Sequence, residues 1–123
     1  MKEIYTKNAP DAIGPYSQAI IAGKLIYTSG QIPINPATGT IDTATIKEQT
    51  ARACSNIKAI LESVGSSTDK VIKTSCFLKN MEDFAGFNEV YAEYFTKKPA
   101  RSCVAVKELP KGALVEIEVI AEA

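Results

Sequence analysis

Two stretches with apolar residues at helical spacing lie among short runs of strand character, in the order strand, strand, helix, strand, helix, strand, strand. Few folds accommodate that order. From Thr45 to Val64 the apolar positions Ile46, Ala53, Ile57, Ile60, Leu61 and Val64 recur at close to helical steps, with Lys47, Lys58 and Glu62 left for solvent. Both ends of this helix are marked. Thr45-Ile46-Lys47-Glu48 fits a capping box, and Gly65 supplies a left-handed C-terminal residue. The second helix, Asp83 to Phe95, carries Phe84, Phe87, Tyr91, Tyr94 and Phe95 near one side, a stripe that reads as core packing.

The strands are read from Tyr16 to Ile21, Lys24 to Ser29, Lys70 to Lys79, Arg101 to Lys107 and Leu114 to Ala121, with Ala22-Gly23 as a hairpin turn between the first two. Val71, Ile72, Phe77 and Leu78 leave Lys70 to Lys79 little polar surface, which predicts a central strand buried on both sides. Gly30 to Gly39 is dense in Gly and Pro and reads as a shaped loop. The whole is one α/β (α+β) domain over residues 1–123, both helices covering one face of a mixed sheet.

Side chains alternate between the faces of a strand, so Val104 and Val106, like Val115, Ile117, Val119 and Ala121, are expected to meet the helices. Arg101, Cys103 and Ala105 then point to the opposite face, together with Leu114, Glu116, Glu118 and Ile120. Such a face is too apolar for open solvent and too charged for a core. A subunit interface containing small polar sites fits it, and an oligomer is expected.

Fourteen basic and fourteen acidic residues give zero net charge, so no general attraction draws this chain to nucleic acid or anionic membranes. Histidine is absent, which removes Ser-His and Cys-His nucleophile pairs and histidine-bearing metal sites. Cys54, Cys76 and Cys103 are too dispersed for a structural zinc site and read as reduced thiols; no metal is expected. No apolar run reaches the roughly 20 residues that span a bilayer, and Met1 to Pro10 has no signal-peptide core, so a soluble, cytoplasmic protein is expected.

Chemistry must therefore rest on carboxylates, hydroxyls, thiols, backbone groups, lysine or arginine. Only two arginines occur against twelve lysines, and Arg101 stands in Pro99-Ala100-Arg101-Ser102-Cys103-Val104, where a strand begins. A guanidinium can grip a carboxylate through two parallel hydrogen bonds, so Arg101 is a candidate for anion recognition.

Asn8-Ala9-Pro10, Ile13-Gly14-Pro15-Tyr16-Ser17-Gln18, Thr28-Ser29-Gly30-Gln31-Ile32-Pro33, Phe87-Asn88, Pro99 to Val104, Leu109-Pro110 and Ile117-Glu118, collinear over nearly the whole chain, resemble the RidA (YjgF-type) reactive intermediate deaminases. The resemblance implies a chorismate-mutase-like fold with a six-stranded mixed sheet, two helices on one face and the other face in a homotrimer interface. It implies ligand clefts between subunits. It also implies that the last strand inserts between Lys24 to Ser29 and Lys70 to Lys79, bringing Glu118 near Ser29.

The activity implied is hydrolysis of enamine and imine acids released by pyridoxal-phosphate enzymes, such as 2-iminopropanoate and 2-iminobutanoate, to 2-oxo acids and ammonia. By the same resemblance Arg101 clamps the substrate carboxylate and Glu118 attends the hydrolytic water. Tyr16, Ser29 and Asn88 line the cleft, Cys103 contributes to its wall, and Gly30 and Ile32 belong to the adjoining loop. The imine carbon is already activated toward water, so no cofactor is expected. Thr96-Lys97-Lys98 is shorter than the corresponding link in several relatives, which alters the cleft rim. Two rival readings are a regulatory protein that binds 2-oxo acids without turnover and an RNA-acting translation inhibitor, the latter disfavoured by the charge balance and the missing histidine.

Overall fold

The computed structural model describes residues 1–123. Its strands are β1 (Lys2–Ile4), β2 (Ala19–Ala22), β3 (Leu25–Thr28), β4 (Val71–Leu78), β5 (Ala100–Ala105) and β6 (Val115–Glu122), with helices α1 (Ile46–Glu62) and α2 (Phe84–Tyr94). The sheet order is β1-β2-β3-β6-β4-β5, so the C-terminal strand lies inside the sheet, between β3 and β4. Only β4 and β5 pair in parallel.

α1 starts where its sequence says it should. The Thr45 hydroxyl accepts from the Glu48 amide at 3.2 Å, and the Glu48 carboxylate accepts from the Thr45 amide at 3.2 Å. At the other end Gly65 takes φ +79°, and the Gly65 and Ser66 amides donate back to Glu62 and Leu61 in a Schellman arrangement. Ala53, Cys54, Ile57, Ile60 and Leu61 are wholly buried against the sheet. Full burial of a branched aliphatic side chain contributes about 1.5–3 kcal/mol, so this face holds the helix down. On α2 the rings of Phe87, Tyr91 and Phe95 form a tilted ladder with centroids 5.4 and 4.7 Å apart.

Buried amide side chains hold the long loops. Asn56 of α1 donates to the carbonyls of Ile32 and Ile34, while Gln49 donates to the Thr43 carbonyl and accepts from the Leu114 amide. Gln18 accepts from the Thr6 amide and donates to the carbonyls of Thr6, Ala9 and Pro10. Each closes backbone groups that no ladder satisfies.

The structure departs from the sequence reading in four places. β1, paired through Lys2↔Ile21 and Ile4↔Ala19, was not expected, because three residues carry no readable period. The hairpin turn is Gly23-Lys24 rather than Ala22-Gly23: Ala22 pairs with Leu25, and Gly23 supplies the positive φ that a two-residue connection needs. β4 is paired on both edges, yet within the chain it is buried on one face only. Val71, Thr74, Cys76 and Leu78 meet the helices, whereas Phe77 is half-buried on the other face and Ile72 is 44% exposed at a bulge.

The fourth departure concerns β5. Arg101 pairs with Thr74 and Cys103 with Cys76, and both partners are buried beneath the helices. Arg101 and Cys103 therefore face the helices, while Val104, expected inside, is 50% exposed on the helix-free face. Alternation holds in the strand; the choice of inner side was inverted. β5 is an edge strand, and the ladder to β4 rather than its own apolar content decides which side chains turn inward. Glu116, Glu118 and Ile120 of β6 do lie on the helix-free face, with Tyr27 paired to Ile120 and Phe77 to Glu116. No helix is long and apolar enough to cross a membrane.

Removing the cap hydroxyl with Thr45→Ala leaves the Glu48 amide unpaired, and should lower unfolding stability by about 1 kcal/mol. Denaturant titration checks this: the midpoint should fall with no change in slope.

Candidate active site

The sequence-predicted residues gather into two groups. The first is built where α2 lies over the β5 edge. The Arg101 guanidinium donates through Nη1 to the Asn88 Oδ1 at 2.7 Å and stands over the rings of Tyr91, Phe84 and Phe87, 4.8, 5.5 and 5.8 Å from their centroids. Asn88 reaches it because α2 places Phe84, Phe87, Asn88 and Tyr91 on adjoining positions of one side. Tyr91 is itself locked, its hydroxyl 2.7 Å from the Thr74 hydroxyl in the core.

Arg101 makes no ion pair. The chain contains two, Lys47–Glu89 and Arg52–Asp42, and neither involves it. The guanidinium is thus positioned by an amide oxygen and aromatic faces but is not neutralised, leaving donors of its fork free for an anion. Cys103 lies beside it, partly buried against the core cluster; burial pushes its thiol up, with the Arg101 charge opposing. Cys76 is pushed up to about 12, chiefly by burial. Neither thiol is set up as a nucleophile at neutral pH.

The second group lies on the helix-free face, in a concavity lined by Tyr16, Ser29, Gly30, Pro110, Glu116 and Glu118. Glu118 and Ser29 do share a site, as the strand insertion requires. Ser29 directly follows β3, its hydroxyl donating to the Ser17 carbonyl at 2.6 Å. Tyr16 is 47% exposed, its hydroxyl accepting from the Ile13 amide at 3.2 Å. The loop beyond Gly30 is tied to β6 by reciprocal bonds between Gln31 and Ile117. Ile32 packs in a small apolar cluster with Ile34 and Ala113 and borders a narrow hollow shared with Tyr16, Gly30 and Gln31.

Glu116 was not singled out as a site residue. A Cβ on Gly30 would lie 2.7 Å from its Oε1, so glycine at position 30 is what lets this carboxylate seat against the loop. Burial, then the charge of Glu118, pushes the Glu116 carboxyl above the ordinary carboxylate range. The signal was present in the sequence: Glu116 and Glu118 are two apart on a strand and share a face. Which of them is the more enclosed depends on Gly30, and that is not visible from spacing.

The two groups do not meet within one chain. Arg101 faces the helices and Glu118 the opposite side, separated by β4 and two ladder spacings, about 10 Å in the sheet plane. This corrects the shared-face expectation. No group of His, Cys, Asp and Glu able to hold a metal ion is present.

The chain matches the family model described as Endoribonuclease L-PSP over residues 6–123. It is 58% identical over 123 residues to a RutC family protein of Pyrococcus horikoshii, with 98% of each chain covered. It is 47% identical over 124 residues to the 2-iminobutanoate/2-iminopropanoate deaminase of Escherichia coli, covering 98% of this chain and 96% of that one. It superposes on the crystal structure of E. coli TdcF with bound serine at a TM-score of 0.95 and 43% identity, covering 100% of this chain and 99% of that one. With the family model matched over residues 6–123, the shared fold and these full-length similarities in agreement, the chain belongs to the L-PSP (YjgF/RidA) family.

Proposed function

We propose that this protein hydrolyses enamine and imine acids to 2-oxo acids and ammonia, in clefts completed by two copies of the chain. The observation that carries the reading is Arg101, a positioned guanidinium with no carboxylate of its own. The names of the E. coli deaminase and of the serine-bound TdcF support a small amino-acid-like ligand.

Arg101 holds the substrate carboxylate in a fixed plane, assisted by Asn88, with Cys103 in the wall. Tyr16, Ser29, Gly30, Glu116 and Glu118 come from a neighbouring copy, because no single chain brings them to the same side of the sheet as Arg101. Water adds to the imine carbon and yields a proton to Glu116, whose raised pKa suits it to take and return one. Glu118, the residue that the resemblance couples to the water, lies beside it and adds to the upward push that burial gives the Glu116 carboxyl. Glu116 then gives its proton to the carbinolamine nitrogen; as the C–N bond breaks, the carboxylate takes the hydroxyl proton, the carbonyl forms, and the 2-oxo acid and one ammonia are released. A homotrimer with three such clefts is the assembly we propose. The ribonuclease of the family description has no support in this chain's zero net charge and lack of histidine.

Arg101→Ala should remove all acceleration of 2-oxobutanoate release from imine generated in situ by threonine dehydratase, and Arg101→Lys should lose about tenfold or more, since an ammonium cannot make the paired contact. Wild-type rates in Arg101→Ala would sink the proposal. Binding of 2-oxobutanoate with no acceleration by the wild type would replace it by the regulatory reading.

Glu116 must be ionised to accept the proton, so kcat/KM should fall as pH drops through an inflection above the ordinary glutamate value of about 4.3. Glu116→Gln should abolish that limb and cost about 10² to 10⁴ in rate. Mixing inactive Arg101→Ala and Glu116→Gln chains under subunit exchange should restore about a quarter of wild-type activity, since each mixed trimer holds one intact cleft. No recovery despite confirmed exchange would place both groups in one subunit's site.

A further inference from the structure

The concavity around Arg101 contains a second cation, Lys98, and none of the residues lining it is a carboxylate. Neither Lys98 nor Arg101 takes part in an ion pair. Within one chain of zero net charge these two cations in one hollow are a local concentration of positive potential, and of the two it is Arg101 that the proposed assembly sets toward the neighbouring copy's Glu116 and Glu118.

The backbone makes the placement of Lys98 more pointed. Its φ is +54°, in the left-handed region that glycine occupies freely and a lysine at a cost of roughly 1–2 kcal/mol. The turn is held by the Lys98 amide donating to the Phe95 carbonyl at 3.2 Å, at the end of α2. The short Thr96-Lys97-Lys98 link thus places Lys98 in the lining of the hollow in which Arg101 sits. The two cations differ in kind: Arg101 is a braced fork suited to one carboxylate, and Lys98 is a point charge on a flexible stem that can follow a second anionic group.

We infer that Lys98 is a specificity-determining residue that extends the ligand class to 2-imino and 2-oxo dicarboxylic acids, Arg101 taking the α-carboxylate and Lys98 the distal one. The inference rests on the proposed role of Arg101 and concerns which acids that site prefers. Lys98 is solvent-exposed, so its contribution is modest and sensitive to salt.

The test is calorimetric binding of two stable products, 2-oxobutanoate and 2-oxoglutarate, to the assembled protein. Wild type should bind 2-oxoglutarate about fivefold more tightly at low salt, with the preference fading near 0.3 M salt as the Debye length contracts. Lys98→Gly removes the ammonium and suits the positive φ, so it should be at least as stable as wild type and show no preference. Lys98→Arg should keep the preference. Equal affinities in wild type, or a preference that survives Lys98→Gly, would overturn the inference; the latter result, with weakened subunit association, would assign Lys98 to an ion pair across the interface. Arg101→Ala should bind neither acid. If wild type itself binds neither, the carboxylate-clamp reading falls and this inference with it.

Discussion

β6 holds the two halves of this molecule together. It pairs antiparallel with β3 on one side and β4 on the other, and without it the N-terminal β1-β2-β3 meander and the β4-β5 pair would share no ladder. Its alternation has two consequences at once. Val115, Ile117, Val119 and Ala121 are buried beneath the helices, and the residues between them put Glu116 and Glu118 on the opposite face. The strand that closes the core therefore also carries the carboxylates, and the core's demand for a fixed register fixes their position. A slip of one residue would turn three carboxylates, Glu116, Glu118 and Glu122, inward and expose four apolar side chains.

The same sheet divides the candidate chemistry. Arg101 is held on the helix side by Asn88 and the aromatic face of α2, while Glu116 and Glu118 lie on the far side with Tyr16, Ser29 and Gly30. A side chain cannot cross a closed ladder of hydrogen bonds, so any site using both groups needs a second copy. The helix-free face offers material for that contact: Tyr27 and Val104 are large, apolar and about half exposed there, with Phe77 and Ile120 between them. In the proposed assembly, oligomerisation and completion of the cleft are one event.

Legibility varied with how local the determining interaction is. The α1 cap was readable because Thr45 and Glu48 satisfy each other's amides without help from the rest of the chain. The β6 faces were readable because four apolar side chains alternate without interruption. The inner face of β5 is not legible in its own residues, because its edge position leaves Val104 without a cover and because Arg101, a charged residue, is turned inward onto rings contributed by a helix some 10 to 17 residues earlier. Nothing in the strand itself distinguishes Glu116 from Glu118, because the close approach that encloses Glu116 comes from Gly30, a residue 86 positions away in the chain.

Periodicity, caps and turn residues alone thus determine the helices, most of the strands, the layering and the absence of histidine chemistry, since each depends on near neighbours or on composition. The family motifs determine which residues to watch. Only the tertiary structure decides that the arginine and the carboxylates lie on opposite faces, that Arg101 is braced without being neutralised, and that Lys98 shares its hollow. Those outcomes depend on the register between strands distant in sequence and on which helix covers which edge, and no pattern within a single strand encodes them.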